Sequence, residues 1–158
     1  MRTQKAILIS IRPNYAIKIL NGEKTVELRK VCPQLDEGDL CLIYASSPLK
    51  SLVGVFKVKY TAIFKPKEYW PEIQNCAGIN YQDYMSYFKN CKKGYAFFID
   101  KVWKFPDYIE LHNLREIIPG FNPPQNFRYL NSFTKDELKS LDRIYNVFSD
   151  CQINSLLL

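Results

Sequence analysis

The sequence predicts an α+β fold that is mainly β: a small mixed barrel of five to six strands, with short helices at its ends and an amphipathic helix near the C-terminus. Aromatic residues make up 15% of the 158 residues, and they suit pleated, half-buried surfaces. Hydrophobicity alternates along several segments, as it does in strands. The helical segments between them are irregularly spaced, which argues against a doubly wound parallel sheet.

We expect one domain over residues 1–158, with 131–158 as a C-terminal helical extension. A chain of this length can bury roughly 70% of the surface that its unfolded form exposes, so it needs no metal or disulfide. The five cysteines are scattered, and His112 is the only histidine. We therefore expect reduced cysteines in a cytoplasmic protein, without a metal site or a cofactor. No apolar run approaches the ~18 residues that span a bilayer, so no membrane contact is expected.

The chain is predicted to open with a strand, a short helix and a tight turn. Lys5–Ile11 alternates in hydrophobicity and predicts the first strand. Pro13 suits the first turn of a helix, and the Asn-Gly pair at 21–22 supplies its left-handed end. Thr25–Arg29 alternates again and predicts the second strand.

The middle of the chain is predicted to contain the longest strands. After a loop at Lys30–Asp39, the apolar run Leu40–Ala45 predicts a strand that is buried on both faces. Val53–Ile63 alternates apolar residues with Lys57 and Lys59, which predicts a half-exposed strand with a basic outer face. The elements expected after it are helices at Pro66–Gln74 and Tyr81–Phe88 and an aromatic strand at Tyr95–Phe105.

The last third is predicted to combine a loop-rich segment with a final helix. Pro106 and three later prolines favour irregular structure, and a short strand fits Phe127–Leu130. Thr134-Lys135-Asp136-Glu137 is a capping box, which marks the start of a helix. The apolar residues expected on one side of this helix are Leu138, Leu141, Ile144, Tyr145 and Phe148.

Positive charge is concentrated in the first 60 residues. They carry ten Lys and Arg against five Asp and Glu, a net +5 of the +6 that the whole chain carries. A basic face raises the local concentration of anionic partners, although it is also a common solvated surface.

The densest polar cluster runs from residue 21 to residue 30. Strand alternation places Thr25, Glu27 and Arg29 on one face and Lys24 on the other, where the strand leaves the turn and the lysine can point into a cavity. A lysine beside a glutamate can hold an anion, or serve as a base if burial lowers its pKa. The alternative is an exposed hairpin edge whose Glu–Arg pair contributes ~0–1 kcal/mol.

Gly22, Lys24, Glu27 and Arg29 form the pattern G-x-K-x-x-E-x-R. This pattern, with the strings around it, resembles the signature of the ASCH domain family of the PUA-like superfamily. A second stretch, Pro123–Leu130, resembles a motif of one ASCH branch, described as predicted transcriptional regulators. The supporting strings are Ile9–Pro13, Tyr15-Ala16, Ile19–Gly22 and Leu42–Pro48.

The second stretch also has a direct physical interpretation. Gln125 offers an amide, Arg128 a planar guanidinium and Tyr129 a ring, which together can read a base edge, contact phosphate and stack. The alternative is a structural loop whose aromatic residues plug the barrel.

The resemblance implies a PUA-like barrel whose cleft binds RNA or a modified nucleotide, with a transcription- or translation-linked regulatory role. Lys24 and Arg29 would contact phosphate, and Glu27 would accept hydrogen bonds from a base or orient Arg29. Replacing either cation with alanine is expected to weaken RNA binding with little effect on the melting temperature. The residues expected at the cleft are Lys24, Glu27, Arg29, Ser10, Arg12, Tyr44, Ser46, Gln125 and Arg128.

Two alternatives stay open. The first is a metal-independent hydrolase with Lys24 and Glu27 as its catalytic residues, either a ribonuclease or an amidohydrolase. ASCH amidohydrolases that deacetylate N4-acetylcytidine use a Lys, a Thr and a distant Glu; Lys24 matches the Lys, but Glu27 stands in the Thr position. The second alternative is a regulator that acts through a protein partner, because no DNA-reading helix-turn-helix is evident.

Overall fold

The structure, a computed structural model, describes residues 4–130 and 134–145. Over these residues the chain folds into six strands and five helices. The elements in chain order are β1 Ala6–Ile11, α1 Pro13–Leu20, β2 Val26–Arg29, β3 Leu40–Ala45, β4 Ser51–Phe64, α2 Pro66–Ile73, α3 Tyr81–Tyr87, β5 Gly94–Glu110, α4 Leu111–Ile117, β6 Phe127–Tyr129 and α5 Lys135–Tyr145.

All six strands form one mixed sheet in the order β2-β5-β4-β3-β1-β6. The central strands β1 and β3 pair in parallel, so both end at the same edge of the sheet. Every other pairing is antiparallel. The sheet curls into a half-barrel, with β2 and β6 as its edge strands. This confirms the predicted mainly-β class and the number of strands.

The central strands are buried on both faces because their side chains supply two different apolar clusters. Leu8 and Leu42 pack on the face that α4 covers, together with Leu114. Ile9 and Ile43 pack on the opposite face, against Ile19 and other residues of α1. The prediction that Leu40–Ala45 is buried on both faces is therefore confirmed.

A third apolar cluster attaches the helical insertion α2–α3 to the sheet. Val26 of β2 and Phe64 of β4 contact Ile73, Tyr84 and Phe88 from the insertion. The Tyr84 hydroxyl donates a 2.7 Å hydrogen bond to the carbonyl of Pro66, where α2 begins. The insertion therefore lies against the edge of the sheet that carries β2.

The two long strands depart from their predicted bounds. β5 continues through Pro106 to Glu110, because a change of register between β4 and β5 leaves Pro106 outside the hydrogen-bonded ladder. β4 is buried up to Phe56, and its exposed basic part begins only near Lys57, before a further register shift. The predicted half-exposed face is therefore wrong for the first half of β4.

The capping box at the start of α5 is confirmed. The Thr134 hydroxyl accepts a hydrogen bond from the Glu137 amide at 3.1 Å, and the Glu137 carboxylate accepts one from the Thr134 amide at 2.9 Å. α5 then extends to Tyr145, while Phe148 of the predicted stripe lies outside the described residues. None of the described helices has the length and apolar character required to cross a membrane.

Candidate functional site

A cavity with a volume of about 960 Å³ lies where β1 and β3 both end. Its wall is completed by the first turn of α1, by β2, by α3 and by the segment that precedes β6. The parallel pairing explains this position, because the segments that follow two parallel strands meet at one edge of the sheet. We call this hollow the basic cavity. Its charged lining residues are Arg12, Lys24, Arg29, Lys30 and Lys50, with Glu27 and Asp83.

The structure brings Lys24, Glu27 and Arg29 together at this cavity. The sequence predicts that Lys24 lies where the strand leaves the turn and points toward a cavity. β2 begins only at Val26, so Lys24 belongs to the preceding turn, to which the alternation does not apply.

Lys24 is a buried cation that is held by a backbone carbonyl. Its side chain is almost fully buried, and its Nζ donates a 2.6 Å hydrogen bond to the carbonyl of Ala77. Burial lowers the pKa of Lys24 below its usual value, while the nearby Glu27 carboxylate acts in the opposite direction. The Tyr15 ring lies close to the ammonium, with its centroid 5.5 Å from Nζ.

Lys24 is one of three consecutive contacts to the turn at residues 76–78, which we call the 76–78 turn. The Cys76 carbonyl accepts from the Thr25 amide at 2.9 Å, and the Gly78 carbonyl accepts from Lys18 Nζ at 2.9 Å. Gly78 has φ +63°, and a Cβ there would lie 2.8 Å from Cβ of Lys24. Only glycine therefore combines this backbone conformation with such close packing against the lysine.

Arg29 bridges the two edges of the half-barrel. Its guanidinium donates to the carbonyl of Ser10, in β1, at 3.1 and 3.2 Å. The same group donates to the carbonyl of Asn126, just before β6, at 2.8 Å. The Ser10 hydroxyl adds a 2.6 Å bond to the carbonyl of Pro124. The predicted site residues Arg29 and Ser10 thus fasten the segment 124–126 across the open side of the sheet.

Glu27 is a buried carboxylate whose neighbouring cations donate elsewhere. It is 5% exposed, and its Oε1 lies 3.8 Å from Nη1 of Arg29, which is longer than a hydrogen bond. Its Oε2 is buried and receives no hydrogen bond from any described residue. Because Lys24 and Arg29 donate to backbone carbonyls, the carboxylate keeps acceptor capacity at the wall of the cavity.

The rim of the cavity carries exposed cations and hydrogen-bonding side chains. Arg12, Lys30 and Lys50 are exposed, and Lys30 Nζ lies 4.6 Å from the centroid of the Tyr87 ring. Five cationic and two anionic side chains line the cavity, so its net field attracts anions. The remaining predicted residues at this wall are Tyr44, Ser46 and Gln125.

Arg128 is the one predicted cleft residue that does not line the basic cavity. β6 runs antiparallel to β1, with Phe127 opposite Ile9 and Arg128 opposite Leu8. Each residue of β6 therefore lies further from the end of β1 where the cavity opens. Gln125, which precedes the strand, remains at the cavity.

Several lining residues were not predicted. Asp83, Ser86 and Tyr87 come from α3, and the position of α3 depends on contacts between distant parts of the chain. Lys50 lies in the segment that follows β3. Segments that follow the parallel strands β1 and β3 line the cavity, so knowledge of that pairing would have pointed to Lys50. His112 lies outside the cavity wall, where its exposed Nδ1 is 3.2 Å from the Glu110 carboxylate.

The arrangement lacks two parts of the deacetylase pattern. Thr25 is exposed and does not line the cavity. Among the described lining residues, Glu27 is the only glutamate, and Asp83 is the only carboxylate from a distant segment. Nor do the described residues contain a group of three or more His, Cys, Asp or Glu that could hold a metal ion.

A curled six-stranded half-barrel, with a basic cavity around a G-x-K-x-x-E-x-R turn and strand, is a PUA-like domain of the ASCH type. The sequence pattern of the ASCH domain matches residues 9–110. The chain belongs to the ASCH domain family.

Relatives from Zymomonas mobilis agree with this assignment. The chain is 30% identical over 138 residues to an ASCH domain-containing ribonuclease of Zymomonas mobilis subsp. mobilis. The aligned region covers 87% of this chain and 93% of that protein. The crystal structure of ASCH from Zymomonas mobilis superposes with a TM-score of 0.80 at 29% identity, over 90% of this chain and 96% of that one. The crystal structure of a phenylalanine-for-tyrosine mutant of ZmASCH gives the same TM-score at 28% identity, over 89% and 99% of the two chains.

Proposed function

We propose that this ASCH domain binds single-stranded RNA in the basic cavity. Phosphates of the RNA contact the exposed cations of the rim, and a nucleotide inside the cavity donates a hydrogen bond to Glu27. The observation that carries the proposal is the buried Glu27 carboxylate, whose Oε2 accepts from no described residue, inside a cavity that is otherwise rich in cations.

The state of Glu27 favours a ligand over a purely structural role. Leaving a buried acceptor without a hydrogen bond costs about 1–3 kcal/mol, and more when the group is charged. Such a group in a native protein calls for a partner, and a ligand group or an ordered water can supply it. Arg29 stands too far away to satisfy this carboxylate, and its donors are engaged with the carbonyls of Ser10 and Asn126.

The same contacts change the expected phosphate ligands. From the sequence, Lys24 and Arg29 were expected to take phosphate. Because both are largely buried and bonded to backbone carbonyls, we assign phosphate contact to the exposed Arg12, Lys30 and Lys50. Tyr15 and Tyr87 add aromatic surface in the cavity wall, which suits unstacked bases of a single strand.

The test is the salt dependence of RNA binding by charge variants. The double variant Lys30→Gln/Lys50→Gln should bind a short single-stranded RNA more weakly than the wild type. Its slope of log affinity against log salt should fall by about 0.7 for each phosphate that the variant no longer neutralises. Fluorescence anisotropy at several salt concentrations measures both quantities.

Lys101→Gln/Lys104→Gln is the matched control, because it removes two exposed lysines of β5 that lie outside the cavity wall. Its slope should stay close to that of the wild type. Equal slopes for the wild type and the Lys30/Lys50 variant would contradict the proposal, as would an equal weakening of binding in the two double variants.

RNA cleavage is the second candidate function, favoured by the name of the Zymomonas mobilis relative. In cleavage without a metal, the 2′-oxygen attacks phosphorus and the bond to the 5′-oxygen breaks. One group must take the 2′-hydroxyl proton, and another must protonate the leaving oxygen. Glu27 is our candidate for the first role and Lys24 for the second, because the bond to Ala77 uses only one of the three N–H groups of its ammonium. Incubating the same labelled RNA with a chelator and separating the products distinguishes cleavage from binding alone.

A regulatory role in transcription or translation, and a role that acts through a protein partner, remain predictions from the sequence. The names of the relatives from Zymomonas mobilis concern a ribonuclease and an ASCH protein, not a regulator. A pull-down from cells with and without RNase treatment checks whether any captured protein depends on RNA.

A further inference from the structure

We infer that Glu27 makes the basic cavity selective for an unpaired base that carries an exocyclic amino group, namely cytosine, adenine or guanine, over uracil. This inference rests on the proposed binding of RNA and specifies which nucleotide enters the cavity.

The first step is that Glu27 offers acceptors and no donors. An ionised carboxylate can only accept hydrogen bonds. The side chain lines the cavity with its small exposed fraction, and the 3.8 Å separation from Arg29 leaves its lone pairs unsatisfied by that neighbour. A ligand group that approaches Glu27 must therefore bring an N–H or O–H.

The second step is that the two cations beside Glu27 are fixed in place. Lys24 Nζ is held 2.6 Å from the Ala77 carbonyl, and Arg29 spans the carbonyls of Ser10 and Asn126. Turning either group toward Glu27 would break these bonds, and for Lys24 it would leave the buried Ala77 carbonyl unpaired. The carboxylate is therefore a preorganised acceptor, which pairs with Arg29 by charge at 3.8 Å without a hydrogen bond.

The third step is the chemistry of the bases. Cytosine presents the N4 amino group, adenine the N6 amino group, and guanine N1–H beside the N2 amino group. A carboxylate accepting from the cytosine N4 amino group is an established pairing in base recognition. The edge of uracil carries a single N3–H between two carbonyl oxygens, so a carboxylate that approaches it meets like partial charges on both sides.

The competing explanation is that Glu27 accepts from a ribose 2′-hydroxyl. Every ribonucleotide carries that hydroxyl, so contact with the ribose alone would give the same affinity for all four bases. Selectivity among bases on an otherwise identical RNA therefore separates the two explanations.

The experiment compares an oligouridine with versions that carry one central cytidine, adenosine or guanosine, by fluorescence anisotropy at fixed salt. We expect at least one substituted oligomer to bind the wild type about tenfold more tightly than oligouridine. Glu27→Gln should reduce that preference, because a carboxamide can also donate to a uracil carbonyl.

The outcomes keep this inference separate from the proposed function. Equal affinity of the wild type for all four oligomers overturns base selectivity while leaving RNA binding intact. Absence of binding to any oligomer overturns both. A preference that persists unchanged in Glu27→Gln overturns the assignment to Glu27. If Glu27→Gln fails to fold, Glu27→Asp replaces it, because the shorter side chain draws the carboxylate back by one methylene. Unchanged base selectivity in Glu27→Asp then contradicts the assignment to Glu27.

Discussion

The charged residues of the motif act in different ways although the sequence groups them together. Lys24 and Arg29 look like phosphate ligands in the sequence, yet both donate to backbone carbonyls. Glu27, between them in the sequence, retains an oxygen that accepts from no described residue. The division follows from burial, because a buried cation must be hydrogen-bonded, and the nearby backbone carbonyls supply the acceptors.

Lys24→Met is expected to lower the free energy of unfolding by about 1–3 kcal/mol, because the buried Ala77 carbonyl loses its donor. This replaces the sequence-based expectation of a small effect on the melting temperature. Urea denaturation of both proteins measures the difference.

Lys18→Met is the matched control, since half-buried Lys18 donates to the next carbonyl of the 76–78 turn. It should destabilise the protein less than Lys24→Met, because water can reach the Gly78 carbonyl more easily. A smaller destabilisation by Lys24→Met than by Lys18→Met would contradict the structural role of Lys24.

At the scale of elements, the insertion α2–α3 completes the cavity. α3 supplies Asp83, Ser86 and Tyr87 to the wall, and fully buried Tyr84 anchors it to the start of α2. Burial raises the pKa of Tyr84 to about 12 from its usual value near 10. The position of α3 therefore depends on a tyrosine that stays protonated in the folded protein at a pH where it ionises in the unfolded chain.

This difference in pKa predicts how stability changes at high pH. Between pH 10 and about 12 the unfolded chain binds fewer protons than the folded protein, so the free energy of unfolding falls as pH rises. Below pH 10 the contribution of Tyr84 is fully present. Tyr84→Phe should remove this part of the slope, so the stability difference between wild type and variant should shrink from pH 9 to pH 11.

Urea denaturation at each pH provides the measurement, and exposed Tyr81→Phe in the same helix is the control. Comparing variants cancels the titration of all shared groups. A difference between wild type and Tyr84→Phe that stays constant across this range would contradict the assigned pKa.

For the whole molecule, the decisive feature is that the sheet stops short of closure. β2 and β6 are its two edges, and Arg29 joins them through the carbonyls of Ser10 and Asn126. Because the planar guanidinium donates in several directions at once, one side chain can span a gap that backbone pairing does not close.

Arg29→Lys is expected to loosen this junction, since an ammonium cannot reproduce the planar fork. The Ser10 amide, which donates to the Asn126 carbonyl at 3.0 Å, should exchange its hydrogen faster in the variant. Hydrogen exchange followed by NMR measures this at single amides.

Arg115→Lys is the matched control, because Arg115 also donates to a backbone carbonyl, that of Phe121 at 3.0 Å, away from the junction. It should leave exchange at Ser10 unchanged. Protection at Ser10 that is equal in Arg29→Lys and the wild type would contradict the bridging role.

Local sequence patterns were sufficient for the elements whose residues interact mainly with near neighbours. β3 and the start of α5 were predicted correctly because burial on both faces and the capping box leave direct traces in the sequence. The path of β5 through Pro106 and the departure of Arg128 from the cavity depend on strand register instead. Register is decided by contacts across the sheet, which no local pattern reports.

The three bonds to the 76–78 turn have a mechanical consequence. Three successive carbonyls of one short turn cannot shift independently, so Lys18, Lys24 and Thr25 are obliged to move as a single body with the helical insertion. A ligand that displaced the Lys24 ammonium would therefore also have to displace the 76–78 turn and the residues bonded to it. This side of the basic cavity is therefore rigid. Adjustment to ligands of different shape is left to the exposed side chains of its rim.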